Sequence, residues 1–377
     1  MEYIALKDVC KINMGQSPSS SSYNENEDGI PFFQGNADFG ERYPVARVWC
    51  NNPTKVANPG DILLSVRAPI GALNYAKENC CIGRGLAALT PNRDKVLIEY
   101  VYWVLKSKNI ELNSKGTGST FKAISRKVLE ETMIPDIDLE RQQRCVEILE
   151  KLYRVIQMRK KKYRCLDELV RGRFVELFGD PVVNSKGWEM VELGELTGIG
   201  SSKRIFEKEY VSDGIPFYRT KEIVELSKGN TISTELFITE ERYAEIKEKY
   251  GVPKIGDLLI SAVGTIGIIW IVDGENEFYF KDGNLIRVDG SEKFNSVYLK
   301  NLLECLIDEY KKRMSVGTAY AALTISGLAK MKVYNVPIEL QNQFADFVKQ
   351  IDKSKFRGLS MLTTMKSAYE QQTFIYP

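Results

Sequence analysis

Apolar residues recur at helical spacing over one long stretch in the middle of the chain, from Leu139 to Pro181. They follow one another mostly at steps of three or four, the spacing of one helix face: Val146, Leu149, Tyr153, Ile156, Tyr163, Leu166, Val170, Phe174 and Leu177. Lys160 is the single position that breaks this stripe. No Gly or Pro interrupts residues 139–171, and Gly179-Asp180-Pro181 supplies a stop. The pattern therefore predicts one helix that is roughly 55–60 Å long.

A second stripe near heptad spacing follows Leu340. Its members are Phe344, Val348, Ile351, Leu359, Leu362, Met365 and Tyr369. A single surface helix on a globular core is one interpretation of this stripe. We favour pairing of the two long helices, because they occupy equivalent places in an internal repeat.

The repeat consists of short motifs that occur twice in the same order. Asp28–Phe33 (DGIPFF) returns as Asp213–Tyr218 (DGIPFY), and Pro59–Ser65 (PGDILLS) returns as Ile255–Ser261 (IGDLLIS). Four shorter matches are Ile70-Gly71 with Ile266-Gly267, Gly116-Thr117 with Gly317-Thr318, Ile124-Ser125 with Ile325-Ser326, and Leu139 and Gln142 with Leu340 and Gln343. Several matches in order indicate duplication rather than chance. The sequence thus predicts a globular module followed by a long helix, present twice.

Each module shows a mixture of strand and helix patterns. A Gly-Asp turn followed by an apolar run predicts buried strands at Ile62–Val66 and Leu258–Val263. The other predicted elements are hairpin strands at Leu73–Tyr75 and Ile268–Val272, helices at Glu99–Lys106, Ser296–Leu306 and Thr239–Tyr250, and a flexible polar loop at Ser17–Asn26. The expected fold class is α+β, with two pseudo-repeated mixed α/β modules separated by two long helices.

Composition places few limits on function beyond those that the pattern gives. The 377 residues suggest two or three domains, and the net charge of +2 does not by itself announce a nucleic-acid partner. Basic residues are nevertheless dense locally, with nine Lys or Arg between Lys151 and Arg173 against Asp167 and Glu168. Such a run is usually a solvated helix face, but it could equally line a DNA backbone or meet an acidic partner.

Cysteine usage and the N-terminus favour a cytoplasmic protein. The seven cysteines show no CxxC spacing, which argues against a disulfide framework and against a zinc site. The first residues do not resemble a signal peptide, and no apolar run approaches membrane-spanning length.

Signals of catalysis are missing from the sequence. The chain has no histidine, which removes the commonest general base and any Ser-His or Cys-His pair. It also lacks a GxxxxGK[ST] loop, a GxGxxG motif and a DPPY- or NPPY-type tetrapeptide. We therefore expect no metal site, no bound cofactor and no catalytic residues in this chain.

The informative polar positions lie at matching places in the two modules but differ between them. After the shared turn, one copy has Gln34, Asn36 and Asp38, and the other has Arg219, Thr220 and Lys221. Amide, guanidinium, ammonium and carboxylate groups match base edges in the major groove, whereas serines and lysines can hold phosphates. The candidate DNA contacts are Gln34, Asn36, Asp38, Arg67, Arg84, Lys122, Ser201, Ser202, Lys203, Arg204, Tyr218, Arg219, Lys221, Lys281 and Asp282. For each one singly, a solvated surface side chain is the alternative.

These features together resemble one known family, the specificity subunits of type I restriction–modification systems. The resemblance covers essentially the whole chain and includes the Leu-x-x-Gln helix starts and Leu177–Pro181 (LFGDP) with Trp188 soon after. The segments GSSKRIFEKEYVSDGIPFYR, KIGDLLISAVGTIG and GRGLAALTP are also similar to that family.

The resemblance implies a division of labour along the chain. Residues 1–138 and 187–338 would be two target-recognition domains, each reading half of a split DNA sequence. Residues 139–181 and 339–377 would be two long helices, forming an antiparallel coiled coil that fixes the distance between the half-sites. It further implies two docked modification subunits, which carry S-adenosylmethionine for adenine N6 methylation, and motor–nuclease restriction subunits.

Two other functions are compatible with parts of the pattern. A self-contained DNA methyltransferase is disfavoured by the missing cofactor and base-holding motifs. The other is a scaffold that carries two protein-binding modules on a coiled coil. The salt dependence of binding distinguishes it from a DNA reader, since DNA binding weakens steeply as salt rises.

Overall fold

The computed structural model describes residues 2–118, 122–274, 276–314 and 322–371, with residues 356–371 described by their backbone alone. The chain divides into two compact units. Unit 1 comprises residues to Lys161 together with those from Gly358, and unit 2 comprises Lys162–Arg357. Gly317 and Thr318 of the repeat lie outside the described residues, and so do the side chains of Leu359, Leu362, Met365 and Tyr369.

Unit 1 combines short strands with helices, as predicted. Its strands are β1 (Tyr3–Ala5), β2 (Cys10–Met14), β3 (Tyr23–Asn24), β4 (Ile30–Phe33), β5 (Trp49–Cys50), β6 (Val56–Ala57), β7 (Ile62–Ser65), β8 (Leu73–Tyr75), β9 (Cys80–Ile82), β10 (Leu86–Pro91) and β11 (Met133–Pro135). Its short helices are α1 (Leu6–Val9), α2 (Ile98–Ser107), α3 (Asn109–Ser114) and α4 (Arg126–Glu130). The strands form sheets in the orders β2-β10-β7-β8, β3-β5-β4-β9-β6 and β1-β11, and β4 runs parallel to β9.

The long helix α5 (Leu139–Phe178) follows unit 1's strands and continues into unit 2. Unit 2 then repeats the arrangement of unit 1. Its strands are β12 (Met190–Glu192), β13 (Ile199–Gly200), β14 (Ile215–Tyr218), β15 (Phe237–Ile238), β16 (Leu258–Ser261), β17 (Ile269–Ile271), β18 (Tyr279–Phe280), β19 (Leu285–Val288) and β20 (Lys332–Tyr334). Its helices are α6 (Leu193–Leu196), α7 (Thr220–Ser227), α8 (Glu240–Lys249), α9 (Ser296–Met314), α10 (Ile325–Ala329) and α11 (Ile338–Gln371).

The buried apolar runs of the sequence are strands that have a core on each face. In β7, Ile62 and Leu64 pack into the core that contains α2, while Leu63 packs with Phe33 and Ile82 on the opposite face. Side chains alternate between the faces of a strand, so a strand covered on both sides must be apolar throughout. Strand β16 follows the same rule in unit 2.

Each long helix buries its apolar stripe against a module. Val146 and Leu149 of α5 belong to the core of unit 1, and Val170 and Phe174 belong to the core of unit 2. Within unit 2, α5 and α11 run antiparallel, because Phe174 meets Phe344 at 5.3 Å between ring centroids, whereas the earlier Asp167 pairs with the later Lys355 at 2.6 Å. The α+β class and the paired long helices are thus confirmed.

The register of the repeat at the helix starts differs from our sequence alignment by two residues. Gln142 was matched to Gln343, but its structural counterpart is Gln341. Both side chains are buried. Gln142 accepts a hydrogen bond from the backbone N–H of Leu97, just before α2, at 2.8 Å. Gln341 accepts one from the backbone N–H of Asn295, just before α9, at 2.9 Å. The letters Leu-x-x-Gln recur at both helix starts, but Gln343 is exposed and the buried amide of the second copy lies two residues earlier.

The same shift affects the short helix before β11 and β20. Ser125 caps α4 and Thr324 caps α10, so the counterpart of Ser125 is Thr324 and not Ser326. Ser and Thr are interchangeable as N-caps because either hydroxyl accepts the free N–H of the first turn. Ser326 has the same residue type as Ser125, but it does not occupy the same structural position.

The segment Ser17–Asn26 is ordered, which corrects the prediction of a flexible loop. Tyr23 and Asn24 form β3 and pair with Cys50 and Trp49 of β5. The Tyr23 ring lies 4.6 Å from that of Phe32, and its hydroxyl donates to the carbonyl of Pro18 at 3.0 Å. Local hydrogen bonds and one aromatic contact thus order a segment whose serine-rich sequence suggested mobility.

Candidate functional site

Four separate segments of unit 1 meet around a polar cavity of about 480 Å³, which we call the strand-end cavity. It lies where β4, β7 and β9 end and their chains turn away. Its polar lining residues are Ser17, Ser20, Tyr23, Gln34, Asn36, Ser65, Arg67 and Arg84. Four of the residues selected from the sequence as DNA contacts, Gln34, Asn36, Arg67 and Arg84, are therefore brought together.

Backbone contacts hold these segments in a fixed arrangement. Gly85 donates to the carbonyl of Gln34 at 3.1 Å and accepts from the N–H of Val66 at 2.9 Å. A Cβ at Gly85 would stand 2.2 Å from the carbonyl oxygen of Gln34, so only glycine permits this approach. The two glycines in Gly83-Arg84-Gly85 are therefore structural, and they place Arg84 beside Gln34.

The guanidinium groups of this cavity have no acidic neighbour in its lining. Within the described part of the chain, neither Arg67 nor Arg84 forms an ion pair, and no Asp or Glu lines the cavity. Asp38 is different, because its carboxylate accepts from Arg47 at 2.7 Å. The structure thus places Asp38 in an internal ion pair just outside the cavity.

The loop that carries Asn36 is anchored to the first half of α5. Arg42 pairs with Glu150 of α5 at 2.8 Å, and its guanidinium lies 4.7 Å from the ring of Trp103 and 4.3 Å from that of Tyr153. The Tyr153 hydroxyl donates to Glu41 at 2.9 Å, and burial is the main cause that raises the pKa of Tyr153 to about 12. Tyr153 therefore stays a neutral hydrogen-bond donor at physiological pH.

Unit 2 has a cavity of about 540 Å³ at the matching strand ends, which we call the unit 2 cavity. Its lining residues are Thr220, Lys221, Val224, Glu225, Val263, Gly264, Thr265 and Asn284. Asn284 accepts from the N–H of Ala262 at 2.8 Å, as Gly85 does from Val66 in unit 1, so the positions correspond. Of the polar positions singled out from the sequence, Thr220 and Lys221 line this cavity, and Lys221 is the one selected as a DNA contact.

Three other candidates of unit 2 are engaged in internal ion pairs. Arg219 donates to the buried Glu222 at 3.1 Å, and this hydrogen bond is the main cause that raises the pKa of Arg219. Arg204 pairs with Asp282 at 2.8 Å. These three charges are paired within the fold, while the buried Nε of Arg219 has no hydrogen-bond partner among the described residues.

Several candidates serve as scaffold. Tyr218 is buried and stacks on Phe278 at 4.7 Å, so its ring belongs to the core rather than to an exposed reading surface. The Ser201 hydroxyl donates to the carbonyl of Leu285 at 3.2 Å, and the backbone N–H of Lys281 donates to the carbonyl of Tyr218 at 2.9 Å.

The remaining candidates lie at the edges of these segments. The ammonium of Lys203 lies 5.2 Å from the Tyr250 ring. The buried hydroxyl of Ser202 has no hydrogen-bond partner among the described residues. In unit 1, Lys122 is exposed, and its carbonyl accepts from the N–H of Ala68 at 3.1 Å, next to Arg67.

Sequence reasoning missed the serine hydroxyls of the strand-end cavity and two polar side chains of the unit 2 cavity. Ser17, Ser20 and Ser65 were not selected in unit 1, and Thr265 and Asn284 were not selected in unit 2. Thr265 and Asn284 could have been found by aligning the loops after β16 and β18 with Arg67 and the Gly83–Gly85 turn, because those loops carry the candidates of unit 1.

Other kinds of site do not emerge from the described residues. No group of three or more His, Cys, Asp or Glu side chains there could hold a metal ion. No helix in the described ranges is long and apolar enough to cross a membrane. The cysteines are unpaired in the structure.

Comparison with known proteins extends these findings. The family model described as "Type I restriction modification DNA specificity domain" matches twice, at residues 1–167 and 185–358. The type I restriction enzyme MjaIX specificity subunit of Methanocaldococcus jannaschii is 28% identical over 272 residues, which cover 65% of this chain and 62% of that protein. The MjaVIII specificity subunit of the same organism is 23% identical over 373 residues, covering 93% and 86% respectively.

The fold also matches a solved structure over nearly its whole length. The crystal structure of a type I restriction–modification system S subunit from M. genitalium aligns with a TM-score of 0.57, at 16% identity, over 98% of this chain and 95% of that one. This chain covers only 36%, 62% and 44% of the length of three of the relatives that it matches. Since the family model matches most of the chain in two copies, the protein belongs to the family of type I restriction modification DNA specificity domains.

Proposed function

We propose that this chain is the DNA-specificity subunit of a type I restriction–modification enzyme. It reads a bipartite sequence on double-stranded DNA, one half-site per unit, and carries no catalytic activity itself. The observation that supports this most is the strand-end cavity, where Gln34, Asn36, Arg67 and Arg84 converge from three segments of a duplicated module. Amide and guanidinium groups are the side chains that best match base edges in the major groove.

The partners follow from the same proposal. Two modification subunits dock on the long helices, and they carry S-adenosylmethionine for adenine N6 methylation, while motor–nuclease restriction subunits join that core. The exposed basic run Lys160–Lys162 on α5 suits contact with an acidic surface of such a partner. The long helices also serve as a spacer, since a rigid helix defines a distance better than a flexible linker does.

Selection from a duplex library with a randomised region tests the reading function. The full chain should enrich a sequence with two conserved blocks around an unconserved spacer. Its affinity should fall as salt rises, by about one power of salt concentration per phosphate contacted. Failure to enrich any sequence, or binding that does not respond to salt, would contradict DNA recognition and favour a protein-binding scaffold.

Absence of catalysis is tested separately. Purified chain is incubated with duplex DNA and radiolabelled S-adenosylmethionine, without other subunits. We expect no incorporation, because the sequence lacks histidine and the base-holding motif. Reproducible labelling of DNA above a heat-inactivated control would show that the chain is a methyltransferase.

A further inference from the structure

We propose that unit 1 reads guanine, and that Arg67 and Arg84 are the residues that recognise it. The half-site bound by unit 1 then contains at least one G·C pair, whose major-groove edge enters the strand-end cavity. This inference rests on the proposed DNA-reading function and deepens it, because it names the base chemistry that one unit selects.

The guanidinium groups of Arg67 and Arg84 form no ion pair with another described residue. Neither has a hydrogen-bonded carboxylate among the described residues, and the cavity lining contains no acid. Arginines at comparable places are already paired: Arg47 with Asp38, Arg204 with Asp282, and Arg219 with Glu222. Both guanidinium groups are exposed to solvent at one cavity, so their N–H donors are available to acceptors on a ligand.

The polar groups of the strand-end cavity favour a base edge over a phosphate. A phosphate offers only acceptors, so it is served by donors alone. The strand-end cavity also presents the amides of Gln34 and Asn36, and each amide carries an acceptor oxygen beside its NH2 donor, whereas a phosphate would use the donor alone. A mixed set of donors and acceptors matches base edges, and the O6 and N7 pair of guanine matches the planar fork of arginine.

The backbone segments that carry Arg67 and Arg84 are held in place by contacts within unit 1. Arg84 lies between two glycines whose close backbone approach fixes it beside Gln34, and Ser65 braces the Arg67 segment by donating to the carbonyl of Arg67 at 2.8 Å. A phosphate contact tolerates a mobile lysine, because it depends on charge more than on angle. Two arginines on braced backbones suit a bidentate contact, which depends on geometry. A phosphate can also accept such a contact, so the choice of a base edge rests on the mixed donors and acceptors of the cavity.

Unit 2 provides an internal contrast. Its cavity has no arginine in the lining and presents Thr220, Thr265, Asn284, Val263 and Lys221. The two units share a scaffold but offer different chemistry, so the guanine assignment applies to unit 1 alone. A substitution in unit 1 should therefore leave the half-site of unit 2 unchanged, which makes that half-site a folding control within each experiment.

The test uses Arg67→Lys and Arg84→Lys in the full chain, which keep the charge but lose the bidentate fork. Arg93→Lys is the matched control, because Arg93 is an exposed arginine of unit 1 that does not line the cavity. Each chain selects from the randomised duplex library. We expect one G·C preference to fall roughly 5- to 140-fold in each cavity variant. The other half-site, the salt dependence and the Arg93→Lys result should match the wild type.

A second measurement changes the DNA instead of the protein. Guanine at the selected position is replaced by 7-deazaguanine, which lacks the N7 acceptor but keeps Watson–Crick pairing. Wild-type binding should weaken by a similar factor, and the Arg→Lys variant that reads this position should lose no further affinity. This arm holds even if a variant folds poorly, because the wild-type chain reports it.

The outcomes separate the inference from the function on which it rests. A bipartite sequence with no G·C pair that depends on Arg67 or Arg84 overturns the guanine assignment while DNA recognition stands. Uniform weakening across sequences, with insensitivity to 7-deazaguanine, assigns the arginines to phosphates and likewise overturns it. No enriched sequence from the wild type overturns DNA recognition itself, and the inference with it.

Discussion

At the residue scale, Arg42 shows how one side chain can position a loop. Its guanidinium lies against the rings of Trp103 and Tyr153 and pairs with Glu150 of α5. Cation–π contacts and a partly buried ion pair reinforce each other here, because the aromatic walls reduce the exposure of both charges to water. The loop that carries Asn36 is thereby tied to the long helix.

Glu150→Gln tests this anchor. The amide oxygen can still accept from the Trp103 indole, which donates to Glu150 at 3.2 Å, but the charge that pairs with Arg42 is lost. We expect a loss of about 1–3 kcal/mol in the free energy of unfolding, measured by urea titration. Base preference at the position that Asn36 contacts should weaken as well. Glu147→Gln is the control on the exposed face of the helix. Equal losses of unfolding free energy in the two variants would contradict the role of Arg42 and Glu150 in anchoring the loop.

Gln142 is a second residue whose role depends on burial. Its amide accepts from the N–H of Leu97 at 2.8 Å and donates to the carbonyls of Ile137 and Lys95 at 2.8 and 3.1 Å. Gln142→Met keeps a similar volume but leaves these backbone groups unsatisfied, so it should cost more than about 2 kcal/mol of unfolding free energy. The neighbouring exposed Gln143→Met should cost less than about 0.5 kcal/mol. Chemical denaturation of both variants decides, and similar values would refute the buried-amide account.

At the element scale, the cores explain why the long helices keep their stripes. Within unit 2, Phe174 of α5 contacts Phe344 of α11 at 5.3 Å and Tyr298 of α9 at 5.7 Å. The apolar stripe of α5 is thus buried on one face by two neighbours, the paired helix α11 and helix α9 of the module. Aromatic pairs at these separations add to the stabilisation from apolar burial alone.

Phe174→Ala measures this packing. Phe174 is only 2% exposed, so its removal leaves a cavity that should cost about 3–5 kcal/mol. Val175→Ala is the control, because Val175 follows on the same helix with 47% exposure. Differential scanning calorimetry should show a large drop in Tm for the first and a small one for the second. A drop of similar size in both would mean that the stripe is not buried as described.

The helices and strands could be predicted from the sequence, whereas the positions of many side chains of the candidate site could not. The strand at Ile62 and the helix from Leu139 were predictable because periodicity and turn residues are local signals. The pairing of Arg219 with Glu222 and the core position of Tyr218 were not, since both depend on where a side chain turns after its strand ends. The strand-end cavity joins segments that are distant in the chain, and spacing alone carries no information about such convergence.

At the scale of the whole molecule, duplication together with the proposed function predicts that the two units are separable readers. They share a scaffold, but their cavities differ in lining residues. Exchanging residues 187–338 for the equivalent module of a relative with another target should change one half of the selected sequence only. The half that requires Arg67 and Arg84 should persist. Library selection with the chimera checks this, and a change in both halves, or in neither, would contradict modular reading.

The length of α5 leads to the last prediction, which concerns the spacer between half-sites. Helix α5 is continuous from Leu139 to Phe178, and its buried residues Ile156 and Val170 flank a stretch that includes the exposed Met158. Four residues inserted after Arg159 add about one turn and roughly 6 Å to the helix. The buried residues before and after the insertion therefore stay on nearly the same side of the helix. This length approaches two base pairs, at about 3.4 Å each.

The selected sequence of the four-residue insertion variant should therefore keep both half-sites and gain one or two bases of spacer. A two-residue insertion is the matched control, because it rotates the following helix by about 200° and should abolish bipartite selection. Circular dichroism of both variants verifies that helix content is retained. An active four-residue variant with an unchanged spacer would show that α5 does not set the distance between the half-sites.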